Sequence, residues 1–176
     1  VIIVERYRGS EIAAKVEGMH EVPLDVCGAD SQGAIGYEFQ QALQNEYQRR
    51  GINKLATTVI TQMLVDQKDA AFQKPTKPIG SFMDEAEARR REREMGWSVV
   101  EDAGRGWRRV VPSPMPKKIL ELEPVKLLLN SGVTVITVGG GGIPVIDTGA
   151  GQYEGTAAVI DKDFASSLLA QEIGAE

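Results

Sequence analysis

One cysteine in 176 residues, Cys27, excludes an internal disulfide and fits a reducing cytoplasm. One histidine, His20, leaves no histidine-based metal cluster and no Ser-His-Asp triad, so no protein-held metal is expected. No apolar run approaches the roughly 20 residues that cross a bilayer, and Val1–Val4 is too short for a signal core. A basic excess is also missing: the formal net charge is −5, the wrong sign for a footprint on nucleic acid. With 42% hydrophobic and 26% charged residues, the expectation is a globular cytosolic chain with neither a membrane nor a nucleic-acid partner.

What the chain does have is glycine in one place. Val133–Val138 is a β-branched apolar run, and it opens directly into Gly139, Gly140, Gly141 and Gly142 before Ile143-Pro144-Val145. Consecutive glycines are entropically costly, so they belong where the backbone needs positive φ or where something presses on its amides. A row of bare N–H groups suits an anion such as phosphate; the plainer reading is a tight turn after a strand. Further on, Val159-Ile160 runs into Asp161-Lys162-Asp163, a second apolar run that ends in alternating charges. Read together, these two segments make a phosphate site with its own cation.

Around them, helix and strand signals alternate. Ser10 can cap a short helix over 11–17 ending at Gly18. Residues 31–50 place Ile35, Phe39, Ala42, Leu43 and Tyr47 on one helical face. Leu55–Val65 reads as one strand, and 66–81, with Pro75, Pro78 and Gly80, as a loop. Glu and Arg crowd 84–95, a solvated helix; two short strands at 97–101 and 107–111 form a hairpin. A proline-rich exit at 112–116 leads to a helix near 121–130 and then to the glycine strand. Phe164–Ile173 has helical spacing, and both ends of the sequence look cut. The expected fold is α/β: an open, mostly parallel sheet sandwiched by helices. Core portions are expected at 1–65 and 117–176, and a small protruding hairpin subdomain at 66–116.

Several motifs occur in one order: Pro23–Ala29, Ser31-Gln32-Gly33 with Gly36-Tyr37, Lys77–Gly80, Glu101–Gly106 with Arg108–Pro114, Gly139–Val145 and Val159–Asp163. In that order the chain closely resembles the carbamate kinases, within the amino-acid kinase superfamily, over about residues 11–176. The resemblance implies an open α/β sandwich, a homodimer, and Mg2+-dependent transfer of phosphate between ATP and carbamate, run toward ATP in arginine catabolism. It implies a catalytic Lys162 on the phosphoryl oxygens, an Asp163 that orients lysines, and a Lys77 reaching over the substrate from the subdomain. It also implies phosphate binding by Gly139–Gly142, with Arg105 near the substrate. Absent from the sequence are the family's first glycine-rich Gly-Gly-Asn loop and its C-terminal nucleotide-binding part, so the resemblance is to part of a kinase. A catalytically silent oligomerisation module, or a related enzyme acting on another carboxylate, stays open beside it. Taken on its residues alone, Lys162 can be an ordinary surface lysine, Asp163 a helix N-cap and Asp161 a lesser neighbour. Cys27 reads as a small buried side chain.

Overall fold

The computed structural model describes residues 22–175; the Ser10-capped helix, His20 and Val1–Val4 lie outside them. The longest element is helix α1 (Leu24–Arg49), which has Pro23 at its N-cap and begins at Leu24 rather than at Ser31. Proline fixes φ (−56° here) and lacks the N–H that a first turn leaves unpaired, and Asp25 complements the helix dipole. The face it buries is not the apolar one that spacing picks out. Leu24, Cys27, Ser31, Gln32 and Gly36 are buried, whereas Tyr37, Phe39 and Ala42 are exposed and Ile35, Leu43 and Tyr47 half-buried. Closeness contributes to this: a Cβ on Gly36 would overlap the Thr58 methyl, so glycine is required where the helix crosses β1.

The expected strand over 55–65 is two strands, β1 (Ala56–Thr58) and β2 (Gln62–Val65). Helix α2 (Ala70–Gln73) and strand β3 (Lys77–Met83) occupy what reads as a loop, so Lys77 opens a strand. Pro78 is tolerated because β3 is an edge strand. Next come α3 (Glu85–Met95), β4 (Ser98–Glu101), β5 (Trp107–Val111), β6 (Pro116–Ile119), α4 (Leu122–Asn130) and β7 (Thr134–Ile136). After the glycines, β8 (Ile143–Gly149) and β9 (Gln152–Gly155) form a hairpin, and α5 (Lys162–Ile173) follows. Val159-Ile160 is irregular rather than a strand, although Ile160 is buried.

Parallel pairing joins β1 to β7 and β2 to β8, with β6 and β9 antiparallel on the two flanks. Separately, β3, β5 and β4 make an antiparallel sheet in the order β3-β5-β4. The main core gathers Met63, Val65, Ile119, Val138, Ile160 and Ala165; a second cluster joins Leu24, Ile79 and Val111, with Val159 packed on it. Helix α3 is capped by Asp84, which accepts the Glu87 N–H at 2.8 Å, and ends at Gly96 with φ 64°. Its arginines are more than solvated. Arg89 lies 4.4 Å over the Trp107 ring, and Arg91 and Arg109 lie 4.7 and 4.5 Å from the Trp97 ring, so cation–π contacts supplement a thin apolar core. No described helix is long and apolar enough to cross a membrane.

Gly141 has φ 101°, and a Cβ there would sit 2.6 Å from the Ile160 carbonyl oxygen. Gly132, φ 79°, has open space around it. Gly132→Ala should therefore cost about 1–2 kcal/mol, the price of left-handed backbone, and Gly141→Ala clearly more. Denaturant unfolding of the two variants checks this; equal losses would remove the argument that the glycine turn is packed against Ile160.

Candidate active site

The break between β1 and β2 generates the site. On one edge β1 pairs with β7; the backbone groups of its other edge are taken by side chains of α1, four residues apart. Gln44 donates to the Ala56 carbonyl at 3.2 Å, and Gln40 accepts the Thr58 N–H at 2.8 Å. Nearer the break, Gln32 accepts the Thr61 N–H at 2.8 Å and donates to the Thr61 carbonyl at 3.1 Å. Opposite, Glu121 accepts the Gln62 N–H and side-chain amide at 2.7 and 2.8 Å. The strand is thus held on both sides where it changes sheet.

Thr61 is fully buried, and its hydroxyl is completely used. It donates to the Val59 carbonyl at 3.0 Å, accepts the Val138 N–H at 2.9 Å, and so accepts the Thr137 hydroxyl at 2.7 Å. Val138 has φ 55°, an outlier for a β-branched residue, and this is where the chain turns into the glycines. Gly139–Gly141 form a single 3-10 turn. The Gly141 amide bonds the Val138 carbonyl at 3.1 Å and the Gly142 amide bonds the Gly139 carbonyl at 3.2 Å. That leaves the Gly139 and Gly140 amides outside the turn's own bonds. They border a cleft of about 330 Å³ at the carboxyl ends of β1 and β7, lined also by Gly28, Gln32, Phe39, Thr58 and Thr137.

On its other side the turn meets Ile160, and the next residue is Asp161. Asp161, not Asp163, caps α5: its Oδ1 accepts the Asp163 N–H at 2.9 Å. Its Oδ2 accepts the Lys77 ammonium at 2.8 Å. Lys77, half-buried, pairs with Val111 at the root of the small sheet, and the Val159 N–H donates to the Pro112 carbonyl at 3.0 Å just beside it. Lys162 opens α5 with its side chain 64% exposed, 3.7 Å from Asp163, itself 83% exposed. Lys77, Asp161 and Lys162 therefore gather at the N-terminus of α5 beside the glycine turn, and none of the three lines the cleft. Arg105 stands apart at the hairpin turn, held by Asp102 at 2.8 Å and stacked 5.2 Å from the Phe82 ring. Sequence reasoning ranked Asp161 below its neighbours. The signal it missed is that buried Ile160 ends one residue before it, which puts the cap at 161. Among the described residues no three His, Cys, Asp or Glu side chains gather closely enough to hold a metal ion.

Comparison with known proteins first defines the class: an α/β chain with the fold of the carbamate kinases. A carbamate kinase of Giardia lamblia, solved with AMP-PNP bound, superposes with a TM-score of 0.85 at 45% identity, covering 97% of this chain and 54% of that one. More particularly, the carbamate kinase of Pyrococcus horikoshii is 55% identical over 161 residues, 92% of this chain and 51% of that protein. The carbamate kinase-like protein YahI of Escherichia coli is 51% identical over 170 residues, 96% of this chain and 54% of its own length. No protein-family model matches. The chain is a homologue of the carbamate kinases, and it spans about half the length of the curated relatives it matches.

The Lys77 ammonium, then the Asp163 N–H, hold the Asp161 carboxyl below the usual carboxylate range. A depressed carboxylate stabilises the fold above its unfolded-state value, and that contribution is lost as pH falls through the lowered native value. Asn caps a helix as well as Asp, so Asp161→Asn removes only the ion pair. For a pair one-third exposed this should cost under about 1 kcal/mol at neutral pH. Unfolding of both proteins across an acid series should show the gap closing; a gap independent of pH would contradict the pairing.

Proposed function

We propose that this chain is the part of a carbamate kinase that cradles the transferred phosphoryl group, in a reaction that moves phosphate between carbamoyl phosphate and ADP. The gathering of Lys77 and Lys162 at the α5 N-terminus, beside the glycine turn, carries this reading. Phosphoryl transfer asks the protein mainly for donors fixed around moving charge. The Gly139 and Gly140 amides are two such donors, and the lysines are two cations. A lysine in the first turn of a helix opposes the helix dipole, and Lys162 sits there. Such a violation of local preference fits a functional position better than a structural one. Asp163 then acts as a nearby carboxylate that orients Lys162, and Gly141 and Gly142 shape the turn. Arg105, bound within its own sheet, is the weakest of the site residues; its role is to stiffen the hairpin.

Residues 66–116 form the protruding subdomain in this reading, rooted at Lys77. The nucleotide, ATP or ADP, supplies the phosphoryl donor or acceptor. Mg2+ travels on its phosphates, an arrangement that needs few protein ligands. The exposed Tyr37 and Phe39 of α1 support a homodimer through that helix. An arginine-catabolic role in the cytoplasm follows from the same reading. The relatives include a protein called carbamate kinase-like, which favours one rival: turnover of another acyl phosphate.

A coupled assay of ATP formation from ADP by the full-length protein that carries this segment, with carbamoyl phosphate and then acetyl phosphate as donor, separates the two. Lys162→Ala should lower kcat roughly 10²- to 10³-fold. Thermal stability should hold, because that side chain is largely exposed. An unchanged rate would refute the assignment of Lys162, and preference for acetyl phosphate would refute the substrate.

A further inference from the structure

We propose that Asp161 is a positioning residue: it fixes the Lys77 ammonium at the N-terminus of α5 before any substrate arrives. This rests on reading those lysines as phosphoryl-binding groups. The two oxygens of Asp161 do different work. Oδ1 is held by the Asp163 N–H at 2.9 Å, which sets the carboxylate plane, and Oδ2 consequently faces Lys77 in a fixed direction at 2.8 Å.

The backbone carrying Asp161 is itself pinned. Ile160 is buried in the main core, its carbonyl abuts Gly141, and the Val159 N–H bonds the Pro112 carbonyl at 3.0 Å. Asp161 therefore cannot shift relative to the glycine turn without disturbing the core. At its other end Lys77 is fixed by pairing with Val111. Unlike the local pairs along α3, such as Arg91–Glu87, this ion pair joins residues 84 apart in sequence and links the small sheet to α5.

A free lysine on a four-carbon stem loses rotamer entropy when a ligand orders it. Lys77 is ordered already. Its ammonium has three N–H donors, so it can keep one on Asp161 and offer another to a phosphoryl oxygen. That is preorganisation of a cation, and it makes the alignment of Lys77 depend on a residue that does not itself touch the substrate.

The test uses lysine-15N-labelled protein in four forms: wild type, Asp161→Asn, Asp161→Ala and Asp163→Asn. At low temperature the Lys77 ammonium protons should exchange slowly enough to be seen in wild type and Asp163→Asn, and vanish in Asp161→Asn, which keeps the helix cap. A Lys77 signal that persists in Asp161→Asn, or is missing from wild type, overturns the proposal. In the ATP-forming assay, Asp161→Asn should lower kcat roughly 10²-fold with little change in KM for ADP, the size expected from misplacing one group by about 1 Å. If only Asp161→Ala loses turnover, Asp161 is merely a cap and the proposal fails. If the full-length wild type itself makes no ATP from carbamoyl phosphate, the functional reading fails separately, and the ammonium signal still decides whether Asp161 fixes Lys77.

Discussion

The structure depends on one substitution of roles: side-chain amides of α1 stand in for a neighbouring strand along the outer edge of β1. Gln44, Gln40 and Gln32 meet Ala56, Thr58 and Thr61 in turn, and Gly36 between them lets the helix come close enough. The buried Thr61 N–H left unpaired would cost about 1–3 kcal/mol, and Gln40 and Gln44 meet two further, part-buried groups. Apolar side chains on the same stripe could offer no such compensation. Hydrogen-bond satisfaction thus outweighs hydrophobicity in choosing the most buried stripe of this helix, and Phe39 and Ala42 of the more apolar face are left exposed.

The same constraint shapes the site. Val138 in a left-handed conformation stores about 1–3 kcal/mol of strain. Against it stand a buried valine side chain, about 1.5–3 kcal/mol, and the bond from its N–H to the Thr61 hydroxyl, about 1 kcal/mol. These terms are large enough to hold the turn. Because Val138 turns the chain there, the glycines leave the sheet toward the cleft, and their far side meets Ile160. From Ile160 the geometry passes to Asp161 and on to Lys77 and α5. A buried threonine without any reacting group of its own fixes where the candidate chemistry can happen.

Much of this was legible in the sequence. The glycine run, the hairpin at 98–111, the charged helix before it, α4 and the alternation of helix with strand are local signals of turn chemistry and period, and each has its counterpart in the structure. The reading faltered where tertiary contacts override local preference. Apolar spacing chose Phe39 and Ala42 for the buried face of α1 because periodicity does not count backbone groups awaiting partners. The run 55–65 looked like one strand because nothing local marks Thr61 as a crossing point between sheets. Lys77 looked like a loop residue because prolines flank it, though an edge strand accepts Pro78. Asp161 and Asp163 are equally good caps in isolation; burial of Ile160 decides between them.

The central claim is that the Thr61 hydroxyl holds Val138, and through it the glycine turn, in shape. Amide hydrogen exchange of Val138 tests it most directly, in wild type and in Thr61→Val, which keeps the volume and removes the hydroxyl. The account predicts a Val138 amide in wild type that exchanges only on global unfolding, and in Thr61→Val a much faster local exchange spreading to the Gly141 and Gly142 amides. Equal protection of Val138 in both proteins would contradict it.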